Sequence, residues 1–372
     1  MNVDTPHARF MRQALRLAAK GRGFVSPNPM VGAVVVQQGE VVGQGFHQRV
    51  GGSHAEVNAL RDAGDKARGA TLYVTLEPCH HHGRTPPCTQ AVLEEGVTCV
   101  VIGMPDPNPQ VAGGGTQFLR SRGLEVISGV LEPECRRLNQ AFIKHMTTGL
   151  PLVTIKVATT LDGHIATRNG DSRWISSRLS RRFVHRLRCD LDAILVGIGT
   201  ALRDDPLLTA RDIRRPCRQP VRVILDSDLR LPLASQLVTT VEQAPLWVAC
   251  RRQASSHKRR ALAASGVEVL VLPDGEHGVD LTALLRELGK RGLNSLLVEG
   301  GGHVLGAFLE EHLADEFYFF YAPKILGDPV AVPLVSGKQR DLMDEALPVY
   351  DLRVRRSGDD VLISGRLRKE FY

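Results

Sequence analysis

Apolar and polar positions alternate along this chain with two different periods. Short apolar runs rich in β-branched residues, at 31–36, 71–76 and 99–104, predict buried strands. The stretches 55–64 and 89–97 between them place apolar residues on one face at helical spacing, which predicts amphipathic helices. Because strands and helices alternate, we predict an α/β fold with a mostly parallel or mixed sheet.

The pattern changes near Gly149-Leu150-Pro151. A helical stretch at 132–151 ends there, and a strand pattern begins again directly after it. Single cores stop growing near roughly 250–300 residues, whereas this chain has 372 residues. We therefore predict two domains, residues 1–148 and 149–372.

The second part of the chain repeats the alternation of strands and helices. Its predicted helices lie at 281–292 and 303–313, and loops rich in small and polar residues are predicted at 159–167, 171–177 and 196–211. Its predicted strands lie at 192–200, 220–226, 245–250, 267–272, 295–302 and 316–324.

With 43% hydrophobic and 23% charged residues, the chain has the composition of an ordinary globular protein. Its first helical stretch is interrupted by Arg9, Arg12 and Arg16, unlike a signal peptide. No segment approaches the roughly 20 apolar residues that cross a bilayer. We therefore expect a cytoplasmic protein without a membrane partner. The seven scattered cysteines then predict burial or metal ligation and no disulfide framework.

The net charge of +7 is spread thinly, with +3 up to residue 148 and +4 beyond it. The two densest basic runs, 176–188 and 256–260, are separate. This distribution favours solvated faces, or a pocket for a small phosphorylated ligand, over a polynucleotide track. We expect no nucleic-acid partner.

His54, Cys79 and Cys88 supply the three nitrogen and sulfur ligands of a catalytic zinc ion, whose fourth position is kept for water. Glu56 follows His54 by two residues, as in zinc deaminases with the pattern H-x-E followed by P-C-x-x-C, where the glutamate acts as acid and base. A structural zinc site, or buried thiols without a metal, are the alternatives.

The second cysteine departs from this pattern, because eight residues separate it from the first instead of two. Pro86 and Pro87 stiffen the returning chain, so the longer loop can still close on the same ion. Three neighbouring histidines are further possible ligands, and we expect them to be pocket or surface groups: His80, His81 and His82.

The stretch 295–309 is a predicted strand that leads through three glycines into a predicted helix. Glycine lets the backbone approach a phosphate, and a helix N-terminus offers it free N–H groups. A tight turn without a ligand is the alternative. Lys156 lies within an apolar run, where an unpartnered charge is costly to bury, so it is a candidate substrate contact.

Four segments resemble one family: PNPMVGAVVV (27–36), HAEVNAL (54–60), TLEPCHHHGRTPPC (75–88) and DPNPQVAGGG (106–115). They are similar to the bifunctional deaminase/reductase of riboflavin biosynthesis, over about residues 5–365. The resemblance implies a cytidine-deaminase-like domain that binds Zn²⁺, followed by a dihydrofolate-reductase-like domain that uses NADPH. The HHGRTPPC insertion is characteristic of that family and explains the longer loop, whereas His80 stands where a serine is expected.

The resemblance also implies roles for individual residues. It makes His54, Cys79 and Cys88 the zinc ligands and Glu56 the proton shuttle. The implied substrate contacts of the first domain are Asn28, His47, His81 and Arg84. The implied NADPH contacts are Ala158, Trp174, Thr200, Asp204 and the 301–306 turn with Gly301, Gly302 and Gly306. The substrate contacts implied in the second domain, together with Lys156, are Ser172, Arg188, Leu208, Arg211 and Glu299.

Physical arguments agree with some of these roles. A guanidinium such as that of Arg84 can bind a phosphate in a two-pronged geometry, and Arg188 with Arg211 can neutralise one dianion. Taken alone, His47 is more typical of a surface histidine, and Trp174 is as typical of packing as of cofactor binding.

We therefore predict two reactions on a small phosphorylated pyrimidine, in an enzyme that we also expect to be a homo-oligomer. The first is hydrolytic deamination of the phosphoribosylamino-diaminopyrimidinone, and the second is reduction of the product's ribose to a ribityl chain. A nucleic-acid-editing deaminase would leave more than 200 residues, with their glycine-rich ligand-type loops, unexplained. A non-catalytic zinc protein would have no use for Glu56.

Overall fold

The computed structural model describes residues 6–81, 86–108, 114–215, 217–370 and 372. The chain forms two compact units: residues up to Gly149, together with Tyr372, make the first, and Leu150–Glu370 make the second. This division falls one residue beyond the predicted boundary, within the same Gly-Leu-Pro sequence.

The first unit combines helices and strands in alternation. Its helices are α1 (Pro6–Ala18), α2 (Ala55–Ala63), α3 (Cys88–Glu94), α4 (Gly114–Ser121) and α5 (Glu132–Thr148), with short 3₁₀ turns at Ala19–Gly21 and Gly64–Ala67. Its strands are β1 (Gly32–Gln37), β2 (Glu40–Phe46), β3 (Thr71–Leu76), β4 (Cys99–Met104) and β5 (Glu125–Ser128).

These strands form a mixed sheet, in agreement with the predicted α/β class. In the described part of this unit the strand order is β2-β1-β3-β4-β5, with β1 antiparallel to both neighbours and β3, β4 and β5 parallel. Helices pack closely on it: a Cβ added to Gly32 would lie 2.1 Å from the carbonyl oxygen of Ala14 in α1. Only glycine allows this backbone-to-backbone approach.

The second unit also alternates strands and helices. Its helices are α6 (Arg178–Asp190), α7 (Ile198–Asp204), α8 (Gln236–Thr239), α9 (Ser256–Ala264), α10 (Leu281–Lys290) and α11 (Gly302–Glu310), with a 3₁₀ turn at Met343–Glu345. Its strands are β6 (Leu152–Thr159), β7 (His164–Ala166), β8 (Ala193–Gly197), β9 (Val221–Leu225), β10 (Leu246–Arg251), β11 (Glu268–Leu272), β12 (Asp274–Gly275), β13 (Gly278–Val279), β14 (Ser295–Val298), β15 (Glu316–Tyr321), β16 (Val332–Pro333), β17 (Tyr350–Ser357) and β18 (Asp360–Arg366).

The main sheet of this unit has apolar layers on both faces. Over the described residues its order is β11-β10-β9-β8-β14-β6-β15-β18-β17, parallel from β11 to β15 and antiparallel in the last two pairs. One core contains side chains of α10 and α11, such as Leu284 and Phe308, and the other contains side chains of α8 and α9, such as Leu237 and Leu262. Burial on both faces explains why these strands are continuous apolar runs.

One prediction about local structure was wrong. The predicted strand at 192–200 ends at Gly197, and the chain predicted as a loop at 196–211 begins with helix α7. Gly199 suggested a loop there, but packing on the sheet overrides its low helix propensity. The helix predicted at 303–313 is α11, which begins at Gly302, so the predicted 301–306 turn is the junction before this helix and its first turn.

Cysteine pairing also differs from the prediction. Cys189, near the end of α6, forms a disulfide with Cys217, whereas reduced thiols were expected. Their Cα atoms lie 5.5 Å apart, within the usual range for a disulfide. The remaining cysteines described are free thiols. In the part of the chain that is described, no helix is both long and apolar enough to span a bilayer.

Candidate functional site

His54 and Glu56 are positioned by the start of helix α2. His54 directly precedes the helix in extended conformation, and Glu56 lies in its first turn with 3% of its surface exposed. A Cβ on Gly45 of β2 would lie 2.4 Å from the backbone nitrogen of Ala59. Strand and helix backbones therefore touch, which fixes the direction in which the first turn of α2 points.

Cys79 and Cys88 reach the same place from two other elements. Cys79 follows the end of β3, and Cys88 begins α3. The Nδ1 atom of His54 lies 3.1 Å from the sulfur of Cys88 and 3.5 Å from that of Cys79. The three ligand atoms all lie within 4.8 Å of one another. The structure thus brings the predicted ligand set together.

The charges of this cluster fit a divalent cation. A hydrogen bond with Cys88 is the largest influence that lowers the pKa of Cys79, to about 4, while the pKa of Cys88 is raised, chiefly by the same bond. Two thiolates this close would repel each other, so Cys88 stays protonated beside the Cys79 thiolate, whereas a divalent cation between the two sulfurs would favour both thiolates. One imidazole and two thiolates are a typical donor set for zinc, so these residues fit that metal.

Glu56 lies beside the cluster and outside the set of three donors. Burial, first, and the nearby Cys79 raise its pKa to about 7, although His54 opposes the change. A carboxyl with a pKa near neutrality can both accept and release a proton at the pH of the cell. This is the behaviour required of a proton shuttle.

Asn28 and His47 form a polar wall next to His54. The Nε2 atom of His47 lies 3.1 Å from Nδ2 of Asn28, and its Nδ1 atom lies 3.2 Å from the carbonyl oxygen of Ser53. Burial lowers the pKa of His47, so a neutral ring can donate to Ser53 and accept from Asn28. The rings of His47 and His54 meet edge to face at 5.7 Å. His47 is buried, which excludes the alternative of a surface histidine, and its predicted contact with the substrate stays a prediction.

Of the three neighbouring histidines, the structure describes His80 and His81. The ring of His80 stacks on Phe118 at 3.9 Å and its Nδ1 lies 3.0 Å from the hydroxyl of Thr89. His81 is exposed, while His82 and the predicted substrate contact Arg84 lie outside the described residues. His80 is therefore engaged away from the ligand cluster, as expected.

Sequence reasoning assigned no role to Glu77 and Asp106. The carboxylate of Glu77 accepts hydrogen bonds from the backbone N–H groups of Asp106, at 3.2 Å, and Thr116, at 2.8 Å. It thereby fixes the segment after β4 beside Cys79. Burial raises the pKa of Asp106, and His81 opposes this rise. Both residues lie in segments that resemble the family, Glu77 in 75–88 and Asp106 in 106–115, and this position in the sequence could have indicated them.

In the second unit, Glu299 is the centre of a buried charge cluster. It follows β14 and forms two hydrogen bonds with Arg188 of α6, at 2.8 and 3.0 Å. Lys156 of the adjacent β6 lies 3.5 Å from it. Burial alone would raise the pKa of Glu299, but Arg188 and Lys156 outweigh it and bring the pKa down to about 2. Lys156 thus has the partner that its apolar surroundings require.

The arginine pair expected to clamp one dianion is arranged differently. Arg188 donates to Glu299 and, from Nη1, to the carbonyl oxygen of Thr209 at 3.2 Å, whereas Arg211 is exposed. Leu208 has a left-handed φ of 52° and its side chain lies in the apolar core. A substrate contact at Leu208 therefore has to involve its backbone.

His185 of α6 is a further polar group in this region that the sequence did not indicate. It is buried, and burial, followed by the charges of Arg188 and Arg211, lowers its pKa to about 4. The imidazole is therefore neutral beside the charge cluster.

The predicted cofactor contacts lie on β6, α7, α11 and one exposed loop. A Cβ on Gly301, which precedes α11, would lie 3.5 Å from the hydroxyl of Thr200 in α7. The two helices begin after neighbouring parallel strands, β8 and β14, a common place for ligands in α/β sheets. Ala158 lies on β6, Asp204 ends α7, Ser172 is half-buried, and Trp174 is 62% exposed.

Gly302 and Gly306 also have a packing role. A Cβ on Gly306 would lie 1.9 Å from the carbonyl oxygen of Ser336, and one on Gly302 would lie 2.9 Å from the hydroxyl of Ser336. Helix α11 therefore lies directly against this backbone segment. Their contact with a cofactor stays a prediction.

Two protein-family models match the chain. The one described as the RibD C-terminal domain matches residues 151–363, and the cytidine and deoxycytidylate deaminase zinc-binding region matches residues 4–104. The riboflavin biosynthesis protein RibD of Aquifex aeolicus is 44% identical over 354 residues, covering 95% of this chain and 96% of that protein. The chain belongs to the RibD family. RibD of Escherichia coli is 44% identical over 366 residues, with 95% and 97% covered.

Solved structures of the RibD family share the whole fold. RibD of Acinetobacter baumannii has a TM-score of 0.88 at 38% identity, with 97% of this chain and 98% of that one covered. The deaminase/reductase of Thermotoga maritima has a TM-score of 0.84 at 41% identity, with the same coverage. The protein is thus a bifunctional deaminase and reductase of riboflavin biosynthesis, with a zinc-binding deaminase region and a reductase domain of an NADPH-dependent family.

Proposed function

We propose that the first unit deaminates 2,5-diamino-6-(5-phosphoribosylamino)pyrimidin-4-one and that the second reduces the ribose of the product. The Thermotoga maritima relative is described as a diaminohydroxyphosphoribosylaminopyrimidine deaminase and a 5-amino-6-(5-phosphoribosylamino)uracil reductase. The observation that carries the proposal is the His54, Cys79 and Cys88 cluster with the buried Glu56 beside it.

In the deamination, His54, Cys79 and Cys88 would hold zinc, which would supply a bound water of lowered pKa as the nucleophile. Glu56 would accept a proton from the attacking water and deliver it to the ring nitrogen. It would then carry the remaining hydroxyl proton to the amine, so that the C–N bond breaks, ammonia leaves and a carbonyl replaces the amino group. Asn28 binds the edge of the pyrimidine ring, and His47 fixes the orientation of the Asn28 amide through their 3.1 Å contact.

When bound in the second unit, NADPH would supply the hydride that reduces C1′ of the ribose. The bond from C1′ to the ring oxygen breaks, and that oxygen takes up a proton as the ribityl chain forms. Lys156, Arg188 and Glu299 position the sugar phosphate from the carboxyl side of β6 and β14. The N-terminus of α11 offers backbone N–H groups to a cofactor phosphate. The remaining second-domain residues predicted above keep their proposed roles.

Metal removal separates the two proposed reactions. Dialysis against a chelator should abolish ammonia release from the diaminopyrimidinone ribotide, because the nucleophilic water requires zinc. NADPH oxidation on the deaminated intermediate should continue unchanged, since the reductase residues form no part of the metal cluster. Both activities are measured in one preparation, before and after zinc is restored. Deamination that survives complete zinc removal would contradict the proposed ligand set.

We further propose that the enzyme is a cytoplasmic homo-oligomer. Strand β17 lies at the edge of the sheet, where Leu352 and Val354 are largely exposed, and an open edge with apolar side chains favours pairing with another chain. Sedimentation of the wild-type protein beside a variant with aspartate at both positions tests this. A monomeric wild-type protein at working concentration would contradict it.

A further inference from the structure

Asn139 is an unusual residue for the interior of helix α5. Only 2% of its surface is exposed, and its backbone departs from helical geometry, with φ −106° and ψ 15°. Asparagine competes with helical hydrogen bonding and is disfavoured at such positions. A residue that breaks a local preference where it is buried commonly has a role outside its own element.

The side-chain amide of Asn139 is bound twice to a single residue of another segment. Its Oδ1 atom accepts a hydrogen bond from the backbone N–H of Met30 at 2.8 Å, and its Nδ2 atom donates to the carbonyl oxygen of Met30 at 2.9 Å. The amide therefore binds Met30 much as a neighbouring strand would. Two bonds to one residue fix both the position and the orientation of its backbone.

Met30 lies two residues after Asn28, in the segment that leads into β1. Asn28 contacts His47, and His47 in turn binds the backbone oxygen of Ser53 next to His54. The segment is thus fixed on one side by the contact of Asn28 with His47 and on the other side by α5. Asn139 supplies the bonds on the α5 side.

We infer that Asn139 is a positioning residue for deamination, which holds the segment of Asn28 in place for substrate recognition. The inference rests on the proposed role of Asn28 in binding the pyrimidine. Loss of the two hydrogen bonds from Asn139 frees the Met30 backbone and leaves its N–H and carbonyl groups buried without their partner. Asn28, two residues earlier in the chain, is then displaced. The zinc ligands lie on other elements and keep their places.

The test compares Asn139→Ala and Asn139→Asp with a control on the same helix, Thr147→Ala. Thr147 is exposed, and its hydroxyl donates to the carbonyl oxygens of Ile143 and Lys144 within α5 itself. Asn139→Ala should lower kcat/KM of deamination by roughly 10- to 100-fold, the size expected when a binding group is misplaced, with most of the loss in KM. Asn139→Asp keeps the acceptor for the Met30 N–H but places a buried carboxylate oxygen against the Met30 carbonyl oxygen, so it should lose at least as much. Both Asn139 variants should keep the zinc content and the reductase activity of the wild type. The Thr147→Ala variant should also keep the wild-type rate of deamination.

A double-mutant cycle with Asn28→Ala distinguishes positioning from general stability. If Asn139 acts through Asn28, its removal should cost little more once Asn28 is absent, whereas a general loss of folding would add to the effect. Full additivity, or a parallel loss of zinc and reductase activity, would overturn the inference. Normal turnover by Asn139→Ala beside an impaired Asn28→Ala would also overturn it. Normal turnover by Asn28→Ala would instead refute the proposed recognition role, and the inference with it.

Discussion

Glu56→Gln should abolish deamination while zinc binding and reduction of the deaminated intermediate persist. Glutamine keeps the size and polarity of the side chain but cannot accept the proton of the attacking water or deliver it to the leaving amine. Loss of a positioned general acid and base costs about 10²- to 10⁴-fold, and here one carboxyl serves both transfers. We therefore expect kcat of ammonia release to fall by at least about 10³-fold, with a small change in KM.

The matched control is Glu95→Gln, which makes the same change at an exposed carboxyl of the same unit. It should leave both activities at the wild-type level. Zinc content measured on both variants separates a chemical defect from loss of the metal, and NADPH oxidation reports the integrity of the second unit. A Glu56→Gln enzyme that retains zinc and releases ammonia at the normal rate would refute the proposed proton shuttle.

Local sequence was sufficient to identify the chemistry of the first site. His54 and Glu56 are two residues apart at a helix start, so their spacing alone places them side by side. Cys88 could not be placed by spacing, because a loop of unpredictable path separates it from Cys79. It reaches the cluster only because α3 begins beside the end of β3. The two hydrogen bonds between Asn139 and Met30 could not be predicted from local sequence, since the two residues lie 109 positions apart in the chain.

In the second unit, the sequence indicated that Lys156 needs a partner of opposite charge but did not indicate which residue that partner is. A lysine in the apolar strand β6 requires an opposite charge, but nothing near it identifies Glu299, which follows a different strand. The hairpin of β17 and β18 was not predicted at all. Its first strand mixes arginines with apolar residues and is exposed along most of its length, so no buried apolar run marks it. The contact of Lys156 with Glu299 and the pairing of β17 with β18 both join residues that local sequence patterns do not connect, so a single sequence does not predict them.

Glu299→Gln should destabilise the second unit and eliminate NADPH oxidation. Glu299 has 8% of its side-chain surface exposed and compensates two cations, Arg188 and Lys156. Removal of one partner from a buried charge cluster typically costs about 3–5 kcal/mol of unfolding free energy, because it leaves uncompensated buried charge. The same carboxylate holds Arg188 and Lys156 in the positions from which we propose that they bind the sugar phosphate. We therefore expect the reductase to lose its activity while ammonia release continues.

The destabilisation caused by Glu299→Gln should depend on pH. The pKa of Glu299 is depressed from its ordinary 4.5 to about 2 in the folded protein, so its contribution to stability is present above pH 4.5 and is lost as the pH falls toward 2. The gap between wild-type and Glu299→Gln unfolding free energies, from denaturant titrations, should therefore narrow over that window. Glu268→Gln removes a half-exposed partner of Arg291 and should change the unfolding free energy by no more than about 1 kcal/mol. An equal effect at the two positions would show that the buried cluster has no special energetic role.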